Sequence, residues 1–275
     1  MSTRTAATFS PPVMEARRWL AGVVFPDDRP LINVSQAAPV EPPPREMRQV
    51  MADIALNRDD AHLYGPVLGL PELRSELASQ ISAHYAGPVR AAQTAITSGC
   101  NQAFAAAVAS LCSEGDEIII PTPWYFNHKM WLDMSGVAAV PLPAGAGMLP
   151  DPEQAAALIT RRTRAIALVT PNNPTGAVYS REVLDGIAEI ARENSLLLLA
   201  DEIYDRILFD DAQHIPMASV APDLLCLTFN GLSKTYRVAG YRSGWLVVTG
   251  PKTHAGGFLE GITLLASTRL CPNVP

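Results

Sequence analysis

The feature of this chain that most restricts its fold is a series of short, almost continuously apolar runs separated by helical patterns. Ala95–Thr97, Glu117–Pro121, Val137–Leu142, Arg164–Thr170, Leu196–Ala200, Leu224–Phe229 and Gly244–Thr249 read as strands. Between and around them, Met47–Leu56, Pro71–His84, Asn101–Cys112, Arg181–Asn194 and Gly257–Ser267 carry helical apolar spacing. A strand with one wet face alternates polar and apolar residues, and most of these do not. They predict an α/β fold: a mostly parallel, mixed sheet flanked by helices on both faces. Before Arg45 the prolines at 11–12, 26, 30 and 42–44 predict an irregular, extended arm.

Charge and apolar patterning narrow the function. A net charge of −6 with no lysine- or arginine-rich run argues against nucleic acid. The longest apolar runs are strand-length, far short of a membrane span. Met1–Ser10 is small and polar and lacks the apolar centre of a signal peptide, so a soluble, cytoplasmic protein is expected. Cys100, Cys112, Cys226 and Cys271 form no C-x-x-C pair and have no histidine at ligand spacing, which predicts neither metal nor disulfide framework. Cys112, Cys226, Trp131 and Trp245 are expected in the core. His62, His84, His128, His214 and His254 are scattered, and none is placed as an obvious base. Glu202 is expected at the surface or behind the site rather than as an acid catalyst.

In sheets of this kind ligands gather at the carboxyl ends of the strands. Ser98-Gly99-Cys100-Asn101 runs from a strand into a helix start, where free N–H groups and the helix dipole suit a phosphate; an ordinary glycine turn would look the same. Asp201 ends a run of leucines, where a carboxylate is costly without a cationic or donating partner. A protonated pyridine nitrogen would serve, although aspartate is also a common helix N-cap. Tyr204, three residues on, points toward the same side. Lys234, in a Gly-Leu-Ser-Lys turn after another strand, is a candidate imine-forming amine if desolvated and a surface lysine if not. Arg242 offers a planar fork for phosphate or an ordinary surface pair.

Taken together, these stretches resemble the class I/II aminotransferases of pyridoxal-5′-phosphate (PLP) fold type I. The resemblance is carried, in the family's order, by Tyr64-Gly65-Pro66-x-x-Gly69-x-Pro71-Glu72-Leu73-Arg74, Asn172-Asn173-Pro174-Thr175-Gly176, Ala200-Asp201-Glu202-Ile203-Tyr204, and Ser233-Lys234-Thr235-Tyr236 with Gly240-x-Arg242-x-Gly244. It covers roughly residues 30–275 and implies the large domain of that fold.

The resemblance implies roles position by position. Lys234 would hold PLP as an imine and carry the proton between the substrate Cα and the cofactor. Asp201 would pair with the pyridinium nitrogen. Asn173 and Tyr204 would hydrogen-bond the ring oxygen, and Asn173 would also border the substrate. Tyr125 would stack on the ring, and Gly99, Cys100, Asn101, Ser233 and Arg242 would surround the phosphate. Tyr64 would reach the phosphate of a neighbouring subunit, which implies a homodimer. The implied reaction is amino transfer between an α-amino acid, alanine- or aspartate-like, and a 2-oxo acid.

Several positions depart from the family pattern. Gly231 stands where many relatives have a phosphate-binding serine, and Ala37 where many have glycine beside the substrate carboxylate. The resemblance implies a C-terminal part of a small domain that these residues do not reach, with an arginine for the α-carboxylate that nothing here matches. The expected organisation is therefore an arm and small-domain segment over 1–45 and a PLP-binding large domain over 46–275, with the rest of the small domain missing. Residues from Pro171 onward look alanine-aminotransferase-like and those before it more like an aspartate or aromatic branch, which suggests a mosaic or truncated reading frame. The alternatives are a PLP lyase or synthase on the same fold and an inactive fragment. A PLP-binding regulator is disfavoured, because the proline-rich start is too short for a helix-turn-helix.

Overall fold

The computed structural model describes every residue except Ala37, Tyr85, Ala86, His254 and Pro275. Seven strands form one sheet: β1 (Thr94–Thr97), β2 (Glu117–Thr122), β3 (Ala138–Pro143), β4 (Thr163–Val169), β5 (Leu197–Asp201), β6 (Cys226–Gly231) and β7 (Gly244–Thr249). Their order is β1-β7-β6-β5-β4-β2-β3. β7 runs antiparallel to β1 and β6, and the remaining neighbours are parallel. The sheet is the mixed, mostly parallel one that the apolar runs predict.

Each strand feeds both faces of the core. In β4, Ile166 and Leu168 join a cluster with Leu184, Ile187 and Ala191 of the helix Arg181–Glu193. Ala165 and Ala167 join the opposite cluster with Ala103, Phe104, Ala107 and Val108 of the helix Cys100–Leu111. All of these are at most 4% exposed, which is why the strands read as unbroken hydrophobic runs. The helix Arg181–Glu193 starts where Ser180 accepts a hydrogen bond from Val183 N at 3.4 Å. Its buried residues recur at helical spacing. Cys226 is fully buried, while Cys112, Trp131 and Trp245 are half-buried against the core.

Two expectations change. The proline-rich arm contains short helices, Thr3–Ala6 and Pro12–Trp19, the second with proline in its first turn, where the missing N–H costs nothing. A helix over Phe126–Ser135, closed by Gly136 in the left-handed conformation, is not anticipated by the periodicity. Among the described residues none is buried before Ala61. The helix Arg45–Asn57 buries nothing, and Trp19, Ile32, Val34, Leu56 and Tyr64 are each more than 70% exposed.

Ile166 is fully buried at the middle of the sheet. Its replacement by alanine is expected to cost about 2–5 kcal/mol, transfer and cavity terms together. Urea denaturation should show a lower midpoint at an unchanged slope; an unchanged midpoint would mean that the two faces are not packed as described.

Candidate active site

The strands β1, β2, β4, β5 and β6 are mutually parallel, so their carboxyl ends lie along one edge. β7 runs the other way, and that brings the turn before it, with Arg242, to the same edge. A cavity of about 250 Å³ opens there. Nine of the candidate residues line it: Cys100, Asn101, Tyr125, Asn173, Asp201, Tyr204, Ser233, Lys234 and Arg242.

Asp201 lies at its floor, 3% exposed at the end of β5. Its Oδ1 accepts from Ile203 N at 3.1 Å and from the Cys100 thiol at 3.4 Å. A turn, not a helix, follows it, so helix capping is not what holds it. His128 Nε2 lies 3.1 Å from Oδ2, within ion-pair reach but off the line of a hydrogen bond. The His128 ring stacks on Phe104, centroids 3.8 Å apart, and meets Tyr125 edge-on at 5.0 Å. Sequence reading left His128 without a role, because only the unanticipated helix Phe126–Ser135 carries it under β5. The glycine that ends this helix was the available signal. Burial, reinforced by the Asp201 charge, pushes the Cys100 thiol well above the ordinary range, so it acts as a donor and not as a nucleophile.

On the other wall Asn173 Nδ2 donates to the Tyr204 hydroxyl at 3.1 Å. Burial and the neighbouring Tyr125 push the Tyr204 phenol up to about 12. The Tyr125 hydroxyl receives Asn127 Nδ2 at 2.8 Å and is also hydrogen-bonded by Asn101. Asn127 is a second residue that sequence reading did not single out. Lys234 Nζ sits 5.4 Å from the Tyr204 ring centroid. Burial lowers its pKa, the Asp201 carboxylate opposes that shift, and the Arg242 guanidinium adds to it.

Gly99, at φ +85°, caps the helix Cys100–Leu111, and a Cβ there would lie 2.2 Å from Arg242 Nη2. The guanidinium therefore rests on the bare glycine backbone beside a helix N-terminus, a cradle for a dianion. Gly231 admits no side chain without a backbone shift, since a Cβ would come within 2.8 Å of the Ser243 carbonyl. A serine at this position would need that shift, and Ser233, 8% exposed, lines the cavity. Tyr64 is 81% exposed and lies outside this cavity. Ala37 falls outside the described residues. Glu202 is fully buried, contrary to a surface position; it accepts from Met217 N at 2.8 Å and lies 3.4 Å from His214 Nε2. Among the described residues no group of histidine, cysteine and carboxylate side chains is placed to hold a metal ion.

The sheet edge thus combines a glycine-backed guanidinium, a buried carboxylate and a partly buried lysine in one cavity of an α/β fold. The chain belongs to the aminotransferase class I and II family, whose model matches residues 29–265. It is 52% identical over 182 residues to the alanine aminotransferase of Mycobacterium tuberculosis, covering 64% of this chain and 42% of that protein. It is 44% identical over 237 residues to the glutamate-pyruvate aminotransferase AlaA of Escherichia coli, covering 82% of this chain and 56% of that protein. The second match runs through both stretches that the sequence divides at Pro171. An Escherichia coli aminotransferase structure superposes with a TM-score of 0.90 at 38% identity, over 100% of this chain and 68% of that one. The chain thus spans about half the length of the curated relatives it matches.

A lysine with a depressed pKa becomes neutral, and reactive, at lower pH than a surface lysine. Labelling of Lys234 by trinitrobenzenesulfonate is expected to begin at lower pH than that of the side-chain amine of free Nα-acetyl-lysine. Asp201→Asn removes the charge that holds the pKa up, and should move the onset lower still. Peptide mapping of the labelled protein across pH checks both; an onset that Asp201→Asn moves upward would overturn this balance of charges.

Proposed function

We propose that the cavity binds PLP and that the protein transfers an amino group between an α-amino acid and a 2-oxo acid. The observation that carries this reading is the convergence of Lys234, Asp201 and the Gly99–Arg242 cradle in one cavity. The donor set fits the group: a carboxylate for a ring nitrogen, a hydroxyl–amide pair for a ring oxygen, and cationic and N–H donors for a phosphate. Bound PLP supplies an electron sink for the carbanion left when the substrate Cα loses its proton.

The chain's own residues supply the rest. Asp201, dry and anchored by Cys100, His128 and the Ile203 amide, holds a proton on the ring nitrogen. The Asn173–Tyr204 pair positions the ring oxygen, and Tyr125 covers the ring. Lys234, whose pKa burial lowers, would take the Cα proton and return it one position away. Arg242, with the backbone of Gly99, Cys100 and Asn101 and the Ser233 hydroxyl, anchors the phosphate. Glutamate, alanine and their 2-oxo acids are the proposed substrates, on the likeness to alanine and glutamate-pyruvate aminotransferases. The same reading places the protein in the cytoplasm, where its four unpaired thiols stay reduced.

A second copy of the chain is the proposed partner. The first sixty residues bury no side chain of their own among those described, yet expose Trp19, Ile32, Val34 and Leu56. These exposed apolar side chains are the candidate contact surface, and Tyr64 is exposed as well.

The alternative of a cofactor-binding chain with little turnover has one observation in its favour. Arg242, placed at the phosphate cradle, is the only arginine among the described residues that line the cavity. Absorbance spectra of the protein with added PLP, before and after glutamate or alanine, separate the readings. A yellow band that Lys234→Ala abolishes, and that either amino acid shifts, is the expected result. A Lys234-dependent band that no amino acid changes would favour the alternative, and a band indifferent to Lys234→Ala would refute the cofactor site. Sedimentation velocity is expected to give the mass of two chains; a folded species of one chain's mass would overturn the dimer.

A further inference from the structure

The anion cradle is made by two turns that come from opposite directions. One is Ser98–Asn101, between β1 and the helix Cys100–Leu111; the other carries Arg242, ahead of β7. They meet without slack. A Cβ on Gly244 would lie 2.6 Å from the Gly99 carbonyl carbon and from the Cys100 nitrogen, and one on Gly99 would lie 2.2 Å from Arg242 Nη2. Arg242 is itself left-handed, at φ +52° and ψ +49°. A residue with a Cβ keeps that conformation only where its surroundings impose it, so something outside the two turns has to hold them.

Residues 269–273, which follow the helix Gly256–Thr268, touch both halves. Arg269 Nη1 donates to Gln102 Oε1, and the same oxygen accepts from Ser98 N at 2.7 Å. Arg269 Nη2 donates to the Ile96 carbonyl in β1. One planar fork thus spans the turn, from the strand that enters it to the helix that leaves it. Four residues on, Asn273 Nδ2 donates to the carbonyls of Tyr241 and, at 3.2 Å, of Arg242. Those are the peptide groups on either side of the left-handed residue. Neither Arg269 nor Asn273 lines the cavity, so each bears on an anion there through the turn it holds.

We infer that Arg269 and Asn273 are positioning residues for the cofactor's phosphate, fixing the two turns of the cradle against each other. The inference rests on the reading of the cavity as a PLP site. A dianion needs the N–H groups of the first turn and the Arg242 fork at the same time. With either turn loose, those donors would have to be ordered on binding, and the lost conformational freedom would lower the affinity. The cofactor's ring is met by Asp201, Asn173 and Tyr204, on other strands, and does not depend on this brace.

Pyridoxal, which has the same ring and aldehyde but no phosphate, separates the two. The protein, stripped of bound cofactor, is titrated with PLP and with pyridoxal, and the absorbance band is followed in wild type, Arg269→Met, Arg269→Lys and Asn273→Ala, with Lys234→Ala as the blank. Arg269→Met and Asn273→Ala are each expected to weaken PLP binding roughly three- to tenfold, the range for one or two lost hydrogen bonds, and to leave pyridoxal binding within about twofold of wild type. Arg269→Lys keeps the charge but not the fork, and should leave most of the loss in place. An equal loss for PLP and pyridoxal, the disappearance of both bands included, would mean general destabilisation and overturn the inference. Unchanged PLP affinity in either variant, full recovery by Arg269→Lys, or a wild type that binds PLP no more tightly than pyridoxal would also overturn it. A wild type without a Lys234-dependent band would instead remove the cofactor reading on which it stands.

Discussion

A sheet covered on both faces leaves its polar chemistry nowhere to go but the strand ends. Ile166 and Ala165, one residue apart in β4, point into two separate clusters, both dry. A charged side chain in mid-strand would be desolvated without a partner, at a cost of several kcal/mol. Asp201, Asn173, Lys234 and the Gly99 turn all follow strands, and the parallel pairing of β2, β4, β5 and β6 aligns those ends. The antiparallel β7 completes the arrangement, since its beginning, not its end, meets the others, and Arg242 precedes it. The cavity is thus a consequence of strand direction.

Within that cavity the electrostatics are organised around Asp201. Its carboxylate is nearly solvent-free, yet it receives an amide, a thiol and an imidazole edge. The same charge holds Lys234 closer to its ordinary pKa than burial alone would and raises the Cys100 thiol. A cationic ligand group over Asp201 would relieve both effects, which is the physical basis for reading a protonated ring nitrogen there.

The N-terminal sixty residues follow a different logic. They add no side chain to the core among those described, but they reach the mouth of the cavity through Val13 and Gln36. Several of their apolar residues face outward, the observation on which the proposed dimer rests. Part of the cavity mouth is therefore built on the portion of the chain least anchored to its own sheet.

Much of this was legible from residue order alone. Continuous apolar runs such as Leu196–Ala200 determined the strands, because a residue buried on either face must be apolar whatever its neighbours. The helices Pro71–His84 and Arg181–Glu193 followed from apolar periodicity, and proline suits the first turn of the former. The motifs around Asn173, Asp201, Lys234 and Arg242 marked candidates because each sits where a strand ends. The helix Phe126–Ser135 and its His128 and Asn127 were not legible: its sequence mixes polar and apolar residues without a clear stripe, since it packs between the sheet and the cavity wall. Gly231 reads from the sequence as a lost phosphate ligand, but a side chain there would have to displace the Ser243 carbonyl. Sequence by itself determined which residues end strands and carry reactive groups, since burial and local backbone chemistry act residue by residue. Only the tertiary structure decided that His128 faces Asp201, that Arg242 rests on Gly99 and that Arg269 meets Gln102, because those contacts depend on strand order and helix orientation between residues far apart in the chain.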